Sequence, residues 1–230
     1  MTLPSLTPPA SLALPDATAD AAQARFWDRA APKYAASKIA DPAGYEATLD
    51  RVRSLLTPAH EVLEVGCGTG STALRLAPGV RHWTATDVSP EMIAIARRKL
   101  AAASVPQLRF DVGTASRPPM RAASLDAVLA FNVLHLVPDL DATIAALAQT
   151  LKRGGLFISK TACLAEMHPL VTRVAVPLMR AVGKAPPLLH FDAAQLQAAF
   201  ERQGLAVDAV ERHGSKRRDW RVFIVARKSP

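Results

Sequence analysis

The stretch Val62-Leu-Glu-Val-Gly-Cys-Gly-Thr-Gly70 decides the fold of this chain. Its first four residues are typical of a buried strand and run into glycines at alternate positions, and a helix-capable segment begins at once with Ser71. Glycine lets the backbone adopt positive φ angles and approach a ligand without a Cβ clash. A glycine turn between a strand and a helix is where an α/β fold binds a nucleotide. We therefore expect a nucleotide-type ligand at this turn.

The carboxylate of Glu64 gives a first indication of the charge of that ligand. Glu64 precedes the first glycine by two residues, so it should stand at the carboxyl end of the strand, beside the pocket. A carboxylate there favours a ligand with a positive charge over one that is mainly phosphate. In addition, the dinucleotide fingerprint requires glycine or alanine at position 71, where this chain has Ser71.

Two further predicted strands also end in carboxylates. Residues 81–87 form a strand-like run that closes on Asp87, and residues 108–112 form a second run that contains Asp111. A carboxylate at the end of the second strand is able to accept hydrogen bonds from both hydroxyls of a ribose. Several nucleotide-binding families share this feature, so by itself it does not separate them.

The remaining pattern predicts a mostly parallel sheet with helices on both faces. Strand-like runs at residues 125–135 and 156–162 alternate with helical patterns, as in α/β folds. The last two strand-like runs are too close in sequence for a crossover helix, so they should pair antiparallel. The predicted helices are residues 22–36, 42–56, 90–100, 139–151 (ended by Gly154-Gly155) and 192–203, and the closing strands are residues 205–211 and 220–226.

Taken in order, these segments resemble the class I S-adenosylmethionine-dependent methyltransferases. The glycine turn, Asp87, Asp111, the fourth strand and the turn at Lys152-Arg-Gly-Gly155 follow the order and spacing of that family. The resemblance covers residues 25–228 and points to the small-molecule type, similar to the ubiquinone/menaquinone methyltransferase domain. It implies a Rossmann-like, seven-stranded, mostly parallel sheet with a C-terminal antiparallel hairpin. It also implies N-terminal helices, a helical cap and S-adenosyl-L-methionine as the cofactor.

The resemblance assigns the cofactor site to an N-terminal helix and to the ends of the first four strands. Asp87 would bind the ribose, Asp111 would reach the adenine amino group with the backbone of Val112 beside it, and Asn132 would border the cofactor. Tyr34 resembles the aromatic residue that small-molecule members place over the cofactor, whereas Phe26 and Trp27 are expected in the core. The predicted cofactor-binding set is Tyr34, Glu64, Gly66, Cys67, Gly68, Asp87, Val88, Met92, Asp111, Val112 and Asn132.

Methyl transfer from a sulfonium is an in-line displacement, so the protein mainly aligns donor and acceptor and excludes water. A hydroxyl or ammonium acceptor also needs a general base. His135 follows the fourth strand at the edge where the acceptor should lie, which makes it the candidate base; a histidine packed against the following helix is the alternative. Cys67 should contribute only its backbone and small size. The two cysteines have no metal-ligand spacing, so no metal is expected.

Length and composition indicate one cytoplasmic domain. The chain has 230 residues, of which 50% are hydrophobic, which suits a single α/β core with a modest cap. Residues 1–20 are rich in Pro, Ala, Ser and Thr and lack lysine and arginine, which predicts a disordered leader and not a signal peptide. No run approaches the ~18 apolar residues of a membrane span. The methyltransferase domain is thus predicted at residues 21–230, with its N-terminal helices at residues 21–57.

Residues 164–190 are too long for an ordinary connection and are predicted to form a cap. They are strongly apolar, and Arg173, Arg180 and Lys184 fall at helix-like intervals. The functional interpretation is a lid over a hydrophobic acceptor, with a basic face that contacts an anionic membrane surface; the alternative is a cap packed on the core.

The chain's excess charge of +8 lies after residue 151 and is densest near Lys216-Arg-Arg218. This predicts either a solvated basic edge or an anionic partner.

Three other functions remain open. A nucleic-acid methyltransferase would fit the basic edge, but the fourth strand ends in Phe131-Asn-Val-Leu134 and lacks the Asn/Asp-Pro-Pro-aromatic motif of amino-directed enzymes. Aromatic residues make up only 5% of the chain and are not interleaved with the basic cluster as stacking platforms would be. An NAD(P)-dependent oxidoreductase is disfavoured by the glycine spacing and the final hairpin. A non-catalytic cofactor-binding protein is the third. A small or lipophilic organic acceptor, and no nucleic acid, is the favoured prediction.

Overall fold

The computed structural model describes residues 17–168, 170, 178–179, 186–215 and 219–229. Its strands are β1 (Glu61–Val65), β2 (His82–Asp87), β3 (Leu108–Val112), β4 (Leu125–Phe131), β5 (Leu151–Ala162), β6 (Leu205–Glu211) and β7 (Arg221–Lys228). Its longer helices are α1 (Ala17–Ala36), α2 (Pro42–Leu55), α3 (Ser71–Leu76), α4 (Pro90–Ala101), α5 (Leu140–Thr150) and α6 (Ala193–Arg202).

The strands form one seven-stranded sheet in the order β3-β2-β1-β4-β5-β7-β6. Neighbouring strands from β3 to β5 run parallel, and β7 inserts antiparallel between β5 and β6. This confirms the predicted Rossmann-like α/β fold with its C-terminal hairpin. The direction of winding reverses between β1 and β4, and ligands of open α/β sheets bind outside the carboxyl ends of the strands at such a switch point.

Two apolar layers cover the two faces of the sheet. On one face, Trp83 and Phe223 pack with buried residues of α2, α3 and α4. On the other face, Phe157 contacts Phe200 of α6 edge to face, with ring centroids 4.9 Å apart, and α5 packs beside them. Because side chains alternate along a strand, Glu64 of β1 lies on the same face as Trp83, whose strand pairs in register with β1.

Helices α4, α5 and α6 begin where the sequence signals place them. Ser89 and Asp139 cap α4 and α5 by accepting hydrogen bonds from the backbone N–H groups of the first turns. Asp192 forms a capping box with Gln195 at the start of α6. Side-chain acceptors satisfy N–H groups that have no partner inside the helix, so these boundaries are set locally.

Three predicted boundaries are wrong. Strand β4 ends at Phe131 and not at residue 135, because Asn132 adopts a positive φ of 54° and turns the chain. Helix α5 ends at Thr150, so Gly154 and Gly155 lie within β5, whose first residue Leu151 already pairs with β4. Helix α1 begins at Ala17, so the last residues of the predicted leader are helical.

The early start of α1 has a physical cause in Asp20. This side chain is buried and forms an ion pair with Arg117 at 2.9 Å. The contact anchors the first turn of α1 to the loop after β3. The rest of the predicted leader, residues 1–16, lies outside the described residues.

Most of the predicted cap also lies outside the described residues, including Arg173, Arg180 and Lys184, as does the basic run at Lys216-Arg-Arg218. The described part of the cap begins with a short 3₁₀ turn at Leu164–Glu166 and ends with a segment without regular secondary structure at residues 186–190. None of the helices in the described part of the chain has the length and hydropathy needed to cross a membrane.

Candidate active site

The glycine turn after β1 has left-handed backbone at each of its three glycines, with φ angles of 66°, 54° and 75° at Gly66, Gly68 and Gly70. A Cβ atom at Gly70 would come within 2.5 Å of the buried Phe110 ring. At Gly68 the nearest atom to such a Cβ is Cε1 of Tyr34, at 3.6 Å. Gly70 is therefore required for packing, whereas Gly68 borders open space on the ligand side of the turn.

Asp87 at the end of β2 fixes the position of this turn. Its carboxylate accepts a hydrogen bond from the backbone N–H of Gly68 at 2.9 Å and another from the N–H of Ser89 at 2.9 Å. Burial raises the pKa of Asp87, although both hydrogen bonds oppose that shift. Asp87 thus connects the glycine turn to the start of α4 and presents a buried carboxylate to the ligand side.

The first cavity, of about 90 Å³, opens beside Asp87 at the carboxyl ends of β1, β2 and β4. The structure brings seven members of the predicted set to its wall: Tyr34, Gly66, Gly68, Asp87, Val88, Met92 and Asn132. Other parts of the wall were not predicted from the sequence and come from α1, from the loop after β3, and from the end of β4 and the turn after it. Those residues are Asp20, Gln23, Trp27, Gly113, Thr114, Ala115, Ser116, Phe131, Val133, Leu136, Val137 and Pro138.

The second cavity, of about 310 Å³, adjoins the first. The two share four wall residues, which are Tyr34, Gly66, Phe131 and Asn132. Glu64 and Cys67 of the predicted set line only the second cavity. Cys67 is buried, and burial raises the pKa of its thiol well above the usual value. Its thiol is therefore not a nucleophile at neutral pH.

Glu64 is a buried carboxylate without a cationic partner among the described residues. Its residue surface is 2% exposed, and its Oε2 accepts a hydrogen bond from Nε1 of Trp83 at 3.2 Å. Burial raises the pKa of Glu64 to about 8, while the bond from Trp83 opposes the shift. A buried charge is costly unless it is paired, so this site suits a ligand that supplies a positive charge.

We expect Glu64→Gln to remove a pH-dependent loss of stability from the ligand-free protein. The folded pKa of Glu64, about 8, is above its ordinary value of 4.5. Between these two pH values the folded state holds a proton that the unfolded chain has lost. The free energy of unfolding therefore falls as pH rises from 4.5 to about 8. The slope approaches ~1.4 kcal/mol per pH unit for one proton. Urea unfolding at several values from pH 5 to pH 9 measures it; equal slopes for wild type and variant would contradict this assignment.

Asp111 and Val112 do not reach either cavity. Arg109 and Arg97 hold the Asp111 carboxylate at 2.6 and 3.3 Å, and Val112 is 51% exposed. The chain crosses the pocket edge one residue later, where the backbone N–H of Gly113 donates to the carbonyl oxygen of Asp87 at 3.0 Å. Gly113, Thr114 and Ala115 line the first cavity in place of Asp111 and Val112. Gly113, which directly follows the predicted strand at residues 108–112, was the signal in the sequence for this close approach of the backbone.

His135 contributes to neither cavity, so its prediction as the general base is not supported. Because β4 ends at Phe131, the turn at Asn132 carries His135 away from the sheet edge. Its backbone oxygen accepts a hydrogen bond from Leu189, and Nδ1 of its ring has no partner among the described residues. Burial lowers the pKa of His135 to about 4, which makes the imidazole a weak base.

Helix α1 forms a wall of the first cavity. Trp27 belongs to this wall, although the sequence predicted it in the core. This ring packs edge to face against Phe26 and Tyr34, with centroids 5.2 and 6.3 Å apart. Asp28 ties α1 to α4 by accepting a hydrogen bond from Oγ of Ser89 at 2.6 Å. The cavity residues of this helix recur at helical spacing, which was the signal for them: Asp20, Gln23, Trp27 and Tyr34.

A sheet of this order, with a glycine turn after β1 and a carboxylate at the end of β2, defines the class I methyltransferase fold. Residues 62–155 match the family model described as a methyltransferase domain. Over these residues the chain is similar to the class I S-adenosylmethionine-dependent methyltransferases, and S-adenosylmethionine is the cofactor that this similarity implies. Among the described residues, no group of His, Cys, Asp and Glu side chains is arranged to hold a metal ion.

The relatives agree with this class. The chain is 31% identical over 99 residues to the uncharacterized methyltransferase YcgJ of Bacillus subtilis, covering 43% of this chain and 39% of the relative. It is 35% identical over 138 residues to the ubiquinone biosynthesis O-methyltransferase of Xanthomonas axonopodis pv. citri, covering 59% and 55%. The chain thus spans about half or less of these relatives. The crystal structure of YcgJ superposes with a TM-score of 0.62 over 72% of each chain, at 24% identity, which supports the fold.

Proposed function

We propose that the protein transfers the methyl group of S-adenosylmethionine to a small organic acceptor. The observation that carries this proposal is the meeting of two cavities at Tyr34, Gly66 and Asn132. The first has the buried carboxylate of Asp87 in its wall, and the second has that of Glu64. A nucleoside with a cationic side arm would lie across both.

The residues present fit this cofactor. Asp87 would bind the ribose hydroxyls, and Val88 and Met92 would lie against the adenine. Glu64 would face the cationic side arm, since it lacks another cation among the described residues. S-adenosylmethionine supplies a methyl carbon already activated by the sulfonium. The protein's part is then to align donor and acceptor and to exclude water, which Trp27 and Tyr34 would do from α1.

A small acceptor is favoured by the size and the walls of the second cavity. Its volume of about 310 Å³ suits a small molecule. Ile39, Leu49 and Phe131 supply apolar walls, and Thr48 and Lys160 supply polar groups. The relative from Xanthomonas, named as a ubiquinone biosynthesis O-methyltransferase, supports the same class of acceptor.

Asp87→Ala tests the cofactor site. We expect the variant to bind S-adenosylhomocysteine more weakly by ~1–3 kcal/mol, or about 5- to 150-fold, since the ribose hydroxyls and the N–H of Gly68 lose their acceptor. Isothermal titration calorimetry measures the change. Asp111→Ala is the matched control, because it removes an aspartate near a strand end that lies outside both cavities, and we expect its affinity within about twofold of wild type. Equal affinity of Asp87→Ala and wild type would refute the placement.

Contact with an anionic membrane surface is a separate part of the proposal. Three described arginines of the C-terminal edge already pair with carboxylates: Arg212 with Glu166, Arg221 with Asp219 and Arg227 with Asp208. The ammonium of Lys228 donates to backbone carbonyl oxygens. Membrane contact therefore rests on the sequence of the cap alone. Sedimentation with anionic vesicles at low salt tests membrane contact, and absence of binding would remove the membrane part of the proposal only.

Methylation of a tRNA pool in place of organic metabolites would favour the nucleic-acid alternative.

A further inference from the structure

Lys160 is a buried cation in the wall of the second cavity. It lies near the carboxyl end of β5, between Phe131 of β4 and Phe223 of β7 in the sheet register. Its residue surface is 6% exposed. Phe131 belongs to both cavities, so Lys160 lies next to the boundary between the cofactor side and the second cavity.

The ammonium of Lys160 has neutral partners and no ion pair among the described residues. Its Nζ donates to Oγ1 of Thr48 at 2.7 Å and to the carbonyl oxygen of Gly44 at 3.5 Å. Its third N–H has no acceptor in the part of the chain that the structure describes. Burial lowers the pKa of Lys160, with a further lowering from Arg221, while the charges of Asp219 and Asp41 oppose the shift.

Two carboxylates, Asp219 and Asp41, act on Lys160 through their charge, but neither accepts a hydrogen bond from it or forms an ion pair with it. Asp41 accepts hydrogen bonds from the N–H of Gly44 and from the N–H and Oγ of Ser215. Asp219 forms an ion pair with Arg221 at 3.1 Å. A buried ammonium without a directly bonded anion is unfavourable, so an anion in the cavity would best complete the hydrogen bonding of Lys160.

We infer that the second cavity binds an acidic organic acceptor, whose carboxylate or phosphate oxygen is held by Lys160. The inference rests on the proposed function and names the class of its acceptor. Arg221 lines the same cavity and lies on the same face of the sheet, opposite Ala162 in the register, but Asp219 already balances its charge, so Lys160 is the cation that the acceptor would meet. The apolar body of the acceptor would lie against Ile39, Leu49 and Phe131.

The binding of matched probes to the protein saturated with S-adenosylhomocysteine tests this inference. The probes are benzoate, phenyl phosphate and neutral benzamide, with octanoate and octanamide as an aliphatic pair, and ligand-observed NMR titration gives their dissociation constants. We expect at least one anion to bind about tenfold more tightly than its neutral partner, as for a hydrogen bond to a charged group. Comparison of benzoate with phenyl phosphate shows whether the site prefers a carboxylate or a phosphate.

Lys160→Gln should abolish this preference, because glutamine keeps hydrogen-bonding capacity without the charge. Lys160→Met serves as a second variant, and Lys33→Met, an exposed change on α1 outside both cavities, is the control for the loss of one charge. Affinity for S-adenosylhomocysteine shows whether each variant is folded. No preference in wild type, or an equal preference in Lys160→Gln, would overturn the inference. Failure of S-adenosylhomocysteine to bind wild type would instead overturn the proposed function.

Discussion

Gly68→Val is expected to abolish binding of S-adenosylhomocysteine. Gly68 has a φ of 54°, and a β-branched residue is a clear outlier in that region. Its side chain would also project into the open space beside Tyr34, where the cofactor is proposed to lie. We expect calorimetry to give an affinity at least about a hundredfold weaker, or ~2.7 kcal/mol.

Gly154→Val separates the effect on the ligand from backbone strain. Gly154 also has left-handed backbone, with a φ of 75°, but no atom lies within 4 Å of a Cβ built there, and it lines neither cavity. This variant should lose stability and keep its affinity for S-adenosylhomocysteine. If Gly68→Val is folded and binds as tightly as Gly154→Val, the glycine turn is not the cofactor site.

Gly70→Ala is expected to destabilise the fold itself. An alanine at its φ of 75° costs ~1–2 kcal/mol in backbone strain, and its Cβ would approach Phe110 to 2.5 Å and Ala96 to 2.9 Å. Overpacking of a core adds ~1–3 kcal/mol, so the expected loss is ~2–5 kcal/mol.

Chemical denaturation of Gly70→Ala and Gly154→Ala isolates the packing contribution. The two glycines have the same φ of 75°, and only Gly70 has close neighbours. The difference between the two free energies of unfolding should therefore equal the ~1–3 kcal/mol of overpacking. Equal losses would show that Phe110 moves aside without cost.

The sequence predicted the fold well because the deciding signals are local. Each of these signals fixes one element within a few residues of the chain. They are the glycine turn, the spacing of the last two strands, and the capping residues Ser89, Asp139 and Asp192. Asp87 was predictable for the same reason, since it closes a strand that pairs with β1. The antiparallel position of β7 between β5 and β6 followed from the short connection.

The errors at the site arise from contacts between segments that are distant in sequence. Arg97 of α4 reaches across to Asp111, and α1 reaches the loop after β3 through Asp20 and Arg117. The turn at Asn132 shifts His135 away from the sheet edge. The buried position of Lys160 depends on three neighbours in the fold, namely β4, β7 and α2, and no pattern within β5 indicates it.

A crystal structure of the protein grown with S-adenosylhomocysteine tests the central claim most directly. We predict that the ribose hydroxyls donate to the Asp87 carboxylate and that the adenine lies between Met92 and the segment from Gly113 to Ala115. The amino acid portion should lie beside Glu64 and Gly66. A ligand bound away from the carboxyl ends of β1 and β2, or a ribose without contact to Asp87, would contradict this account.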